Sequence, residues 1–110
     1  MISEEQLDKA LEYLRETARA AATARSQART LKKYLDVVEA QQKVIHKDLT
    51  NAAARDEARA SPEYKTALDA YSAAVERDCE FTMLREAASS RIEAWRTQQA
   101  NARAEGKAYS

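Results

Sequence analysis

Apolar residues recur along the first half of the chain with a spacing of three and four. From Leu7 the series runs through Ala10, Leu14, Ala21, Ala24, Ala28, Leu31, Leu35, Val38 and Ile45, with Thr17 and Gln42 at the two remaining positions. Ten of these twelve seam positions are apolar, a persistence at a period of 3.5 residues that belongs to a coiled-coil seam. Ser3 followed by Gln6 has the spacing of a capping box, so the helix is expected to begin at about Glu4. After Ile45 the seam weakens to Leu49, Ala52 and Asp56, while the residues stay helix-permissive. The first helix is therefore expected over about 4–55 with a turn at about 56–61, its end lying somewhere between Lys47 and Arg59.

Ser61-Pro62-Glu63 is a restart signal: serine caps, proline occupies the first helical position where its missing N–H costs nothing, and glutamate suits the positive end of the helix dipole. The second helix, expected over about 62–105, carries Tyr64, Ala67, Leu68, Tyr71, Ala74, Val75, Phe81, Leu84, Ala88, Ile92 and Trp95. Its register drifts between Asp78 and Leu84, suggesting a stutter or a second partner face. Gly106 with Lys107 reads as a stop. The expected fold is all-α: one domain over residues 1–110, a long antiparallel two-helix hairpin of coiled-coil type. In that register Trp95 stands opposite Ala24 and Ala28, and residues near 25 and 97 lie close together. A lone hairpin buries one stripe per helix, so pairing into a four-helix or larger homo-oligomer is expected, covering the second face of the later helix.

Composition sharpens this picture. One glycine and one proline in 110 residues leave little room for the turns that a sheet protein needs. Cys79 is the only cysteine, so an internal disulfide is excluded, in keeping with a reducing compartment. The start, Met1-Ile2-Ser3-Glu4-Glu5, is acidic and has no apolar core of a signal peptide. No apolar run approaches the ~20 residues of a membrane span. A cytoplasmic protein without membrane partners is the expectation.

Chemistry finds few footholds. His46 is the only histidine, and no second ligand type gathers around it in sequence. Cys79 sits between Asp78 and Glu80, whose charge disfavours a thiolate. No glycine-rich phosphate loop can be built from a single glycine near the tail. Neither an enzyme nor a cofactor or metal site is expected.

Charge is balanced overall but not locally. Residues 15–33 hold Arg15, Arg19, Arg25, Arg29, Lys32 and Lys33 against Glu16 alone, a net +5, whereas residues 48–80 carry eight carboxylates and four cations. In a hairpin pivoting near residue 60, Arg85, Arg91, Arg96, Arg103 and Lys107 would return beside the first cluster and make one end basic. Arg25, Arg29, Lys33, Arg91, Trp95 and Arg96 are therefore the candidate residues for a protein partner or for single- or double-stranded nucleic acid, the cations on phosphates and the indole stacking a base. Charged flanks that merely solvate a coiled coil are the bland counterpart.

The stretch Ser61-Pro62-Glu63-Tyr64, Ala67-Leu68, Tyr71, Ala74-Val75, Ile92-Glu93-Ala94-Trp95-Arg96 and Ala100-Asn101-Ala102-Arg103 resembles a group of small helical proteins encoded by tailed bacteriophages and prophages. In those genomes such proteins sit among early genes for recombination and single-strand DNA handling. The resemblance implies an accessory role in phage DNA recombination or replication within the host cytoplasm, and it brings no catalytic residues with it.

Overall fold

A computed structural model describes the backbone of residues 1–109 and the side chains of residues 1–107. Among these residues all regular structure is helical: α1 spans Glu4–Ile45, α2 spans Asn51–Arg59 and α3 spans Pro62–Tyr109. The first helix starts where the capping box places it. The Ser3 N–H donates to Gln6 Oε1 at 3.0 Å and the Gln6 N–H donates to Ser3 Oγ at 3.1 Å, so two amides that the helix cannot pair are satisfied reciprocally.

The first helix ends ten residues earlier than the expected 55. After Ile45 the chain turns through hydrogen bonds from His46 N–H to the Lys43 carbonyl and from Leu49 N–H to the His46 carbonyl, each 3.0 Å. Thr50 then takes an extended conformation, φ −62° and ψ 159°, and its side chain accepts the Ala53 N–H as the cap of α2. A threonine at this position competes with continued helix by satisfying a backbone amide locally. The restart at Pro62 follows the expected design: Ser61 Oγ accepts the Tyr64 N–H at 3.2 Å and donates to the Ala58 carbonyl at 2.6 Å, tying the end of α2 to the start of α3. At the far end Gly106 does not stop the helix, which continues to Tyr109. No described glycine has a positive φ, so Gly106 is an ordinary helical residue.

The contacts gather into two compact units. One unit comprises residues 1–21 and 80–110. Here Ala10, Ala88 and Ile92 form the buried cluster, with Leu7, Tyr13 and Leu14 packed against it. The Ile2 N–H donates to Gln98 Oε1 at 3.2 Å, and Arg85 Nη1 donates to the Leu14 carbonyl at 2.8 Å and to Thr17 Oγ1 at 2.7 Å. Partners fall in number on α3 as they rise on α1, so the two segments run antiparallel. Thr17 is thus no flaw in the α1 seam. Its hydroxyl donates to the Tyr13 carbonyl at 2.6 Å while accepting from Arg85, a polar layer inside an apolar stripe.

The other unit comprises residues 22–79. Leu35, Val38 and Ala67 are its buried cluster, flanked by Tyr64 and Tyr71. The short helix α2 buries Ala54 and Ala58, and Arg59 donates to Glu39 of α1. That bond, with the carboxylate's charge, raises the Arg59 guanidinium above its ordinary pKa.

The α3 register corrects one expectation. On α3 the three-four spacing runs unbroken through Tyr71, Ala74, Asp78, Phe81, Arg85, Ala88 and Ile92, all buried or half-buried. The register does not stutter. It is kept by an aspartate and an arginine, while Leu84, which the sequence assigned to the seam, is 49% exposed. Trp95 belongs to the unit of residues 1–21 and 80–110 and Ala24 and Ala28 to the other, and residues near 25 and near 97 are divided in the same way. The reversal is spread over residues 46–61 instead of pivoting at 60. Within the first unit Ile92 packs with Ala10, the Gln98 side chain accepts from the Ile2 N–H, and the indole of Trp95 is half-buried.

Candidate functional site

In the unit of residues 22–79, α1 presents Arg25, Arg29 and Lys32 at a spacing of four and three, and α3 presents Tyr71, Val75 and Asp78 at the same spacing. Such residues share one face of their helix. With Ala28 and Lys33 they line an open depression of about 560 Å³. Ala28 is buried, and its small side chain leaves the room that a leucine would fill. The floor is therefore apolar, formed by Ala28, Val75 and the Tyr71 ring, and the rim is cationic.

The four cations are not equivalent. Arg25 Nε lies 3.7 Å from Asp78 Oδ1. Lys32 Nζ lies 3.7 Å from Asp36 Oδ1 and 5.8 Å from the centre of the Tyr71 ring, a cation–π distance. Arg29 and Lys33 are both exposed, and neither takes part in an ion pair within the described residues. They stand four residues apart, about 6 Å along the helix axis. The depression thus offers two uncommitted positive charges beside an apolar floor.

Of the candidate residues read from sequence, Arg25, Arg29 and Lys33 meet at this depression. Arg91, Trp95 and Arg96 belong to the other unit, where Arg91 and Arg96 are exposed and Arg96 Nη1 donates to Glu93 Oε1 at 2.8 Å, one helical turn away. Tyr71, Val75 and Asp78 were not singled out as site residues. Their signal was present in the chain as the α3 seam and its edge, but which part of α1 it would meet is not written locally.

The same unit carries an apolar stripe that nothing in it covers. Tyr34, Val37, Val44 and Ile45 of α1 are 53%, 49%, 69% and 67% exposed, and their spacing places them on one side of the helix. Beside this stripe, the turn into α2 forms a second depression of about 410 Å³ whose lining includes Val44, His46, Lys47 and Leu49. His46 is half-buried there. Cys79 is exposed with a free thiol. Among the described residues no cluster of three or more His, Cys, Asp or Glu side chains has the arrangement of a metal site, and no helix is long and apolar enough to cross a membrane.

No protein-family model matches the chain, and neither a curated protein nor a solved structure is similar to it.

Proposed function

We propose that this is a non-catalytic, self-associating helical protein that works by binding another protein. The observation carrying the proposal is the uncovered stripe Tyr34, Val37, Val44 and Ile45. Large apolar side chains grouped on one helix face are the feature that a partner helix reads, through anchors spaced three and four apart. The setting we propose is the host cytoplasm during phage DNA recombination or replication, which rests on the resemblance of residues 61–104 to small phage-encoded helical proteins.

The test is affinity capture from infected or lysogenic cells, with and without nuclease, using the unaltered protein and a Val37→Lys/Val44→Lys variant. A partner retained after nuclease and lost with the variant supports the reading. Equal capture by both proteins refutes the stripe as the binding face.

A second reading, direct binding of DNA or RNA, is favoured by one observation: Arg29 and Lys33 are exposed cations without an acidic partner at the mouth of the depression. Two to four phosphate contacts would give a shallow salt dependence. Gel shifts at low salt with Arg25→Ala/Arg29→Ala/Lys33→Ala as the comparison decide it, since binding that survives the triple variant rules the depression out.

A further inference from the structure

We propose that the basic depression of residues 22–79 receives the acidic turn Asp8–Glu12 of a second copy of this chain. The inference rests on the self-association proposed above and names the surfaces that make it.

The depression itself argues against a nucleic-acid strand. Sequence-tolerant binding of single strands depends on aromatic faces on which bases stack. The one ring here, Tyr71, already has the Lys32 ammonium over it at 5.8 Å. An apolar floor beside two free cations instead suits an apolar side chain flanked by carboxylates.

This chain displays such a segment. Asp8, Leu11 and Glu12 are all exposed on α1 in the unit of residues 1–21 and 80–110, with Leu11 at 41%. No ion pair within the described residues engages Asp8 or Glu12. Asp8 and Glu12 are four residues apart, as Arg29 and Lys33 are, so both pairs have the same axial repeat of about 6 Å. An antiparallel approach sets Asp8 on Lys33 and Glu12 on Arg29. Leu11 follows Asp8 by three residues, as Lys32 follows Arg29, so it sits to the same side of its charged pair as the floor does of its own. In that approach Leu11 enters over Ala28 and Val75, beside the Tyr71 ring that Lys32 covers. The charges are complementary at a matched spacing, and the contact loses strength as salt is raised.

Sedimentation velocity over a range of protein concentrations at low salt tests this with charge reversals. Arg29→Glu/Lys33→Glu alone and Asp8→Lys/Glu12→Lys alone should each weaken assembly on the order of 100-fold or more, because like charges then face each other. An equimolar mixture of the two variants should assemble again. Arg55→Glu/Lys65→Glu makes the same change in net charge at exposed positions outside the contact and should assemble as the unaltered protein does. Circular dichroism of each variant, expected unchanged, excludes unfolding as the cause. An oligomer that neither reversal disturbs, or one that Arg55→Glu/Lys65→Glu dissolves equally, overturns this inference and leaves the self-association reading in place. A monomer at every concentration overturns both.

Discussion

Replacing Arg85 tests whether a polar layer inside an otherwise apolar helix pair stabilises it. Arg85 is half-buried and donates to the Leu14 carbonyl at 2.8 Å and to Thr17 Oγ1 at 2.7 Å. Hydrogen bonds from a charged donor contribute about 1.5–3 kcal/mol each when fully protected. Here water reaches part of the guanidinium, and neither acceptor is orphaned by its loss. The Thr17 hydroxyl keeps its bond to the Tyr13 carbonyl, and the Leu14 carbonyl remains inside α1.

Arg85→Leu should therefore cost about 1–2 kcal/mol in net stability. In urea denaturation followed by circular dichroism, that is a midpoint lowered by roughly 0.5–1 M at a slope near 2 kcal/mol/M. Protein concentration must be held fixed, because self-association adds to apparent stability. Thr17→Val alone should cost about 1 kcal/mol by removing one acceptor. Together the two changes place apolar side chains face to face, and the double variant should be more stable than the sum of the singles by about 1 kcal/mol. Strict additivity, or an Arg85→Leu midpoint equal to that of the unaltered protein, would falsify the view that this layer holds the helices together.

Other outcomes follow from the same geometry. Ile92→Ala, at a position only 9% exposed in the Ala10–Ala88 cluster, should cost about 2–4 kcal/mol by thermal or urea unfolding. Trp95→Ala should cost less than a fully buried indole would, about 1.5–3 kcal/mol, and the fluorescence of the intact residue should be partly, not fully, protected from a neutral quencher. Thr50→Ala and Ser61→Ala each remove a cap and should lower stability by about 1 kcal/mol. Amide exchange at Ala53 and Tyr64 should accelerate in the respective variant, and unchanged exchange there would contradict the cap assignments.

The features legible in the sequence were those decided within one helical turn. Ser3 with Gln6, and Ser61 with Pro62, determine their helix starts through contacts three residues away, so residue identity suffices. The end of α1 was not legible because residues 46–55 contain no strong breaker. The competition there is between continued helix and a cap by Thr50, and burial of Ala54 and Ala58 tips it. That outcome then propagates. The reversal over residues 46–61 set Ala10 against Ala88 and Ile92 in one unit and Leu35 and Val38 against Ala67 in the other. It also put Arg91 and Arg96 in a different unit from Arg25, Arg29 and Lys33. The local excess of cations on α1 was readable as composition. Its assembly with Tyr71, Val75 and Asp78 was not, because alanine at position 28 creates a hollow only once the opposing helix is in place.

Of the ten buried apolar residues among those described, seven are alanines. A methyl group is too small to interlock with the holes of a facing helix, so one alanine layer substitutes for the next at little cost. Slippage of one helix past its neighbour by a heptad is therefore poorly resisted by the apolar seam alone. What resists it is the set of polar contacts between the helices, among them Arg85 on Thr17 in one unit and Arg25 with Asp78 in the other, each of which would be stranded by a slide in either direction. These contacts act as detents on a smooth track. Replacing both with apolar residues should yield a chain that keeps its helicity yet samples several alignments, visible as multiple sets of side-chain resonances for Tyr64 and Tyr71.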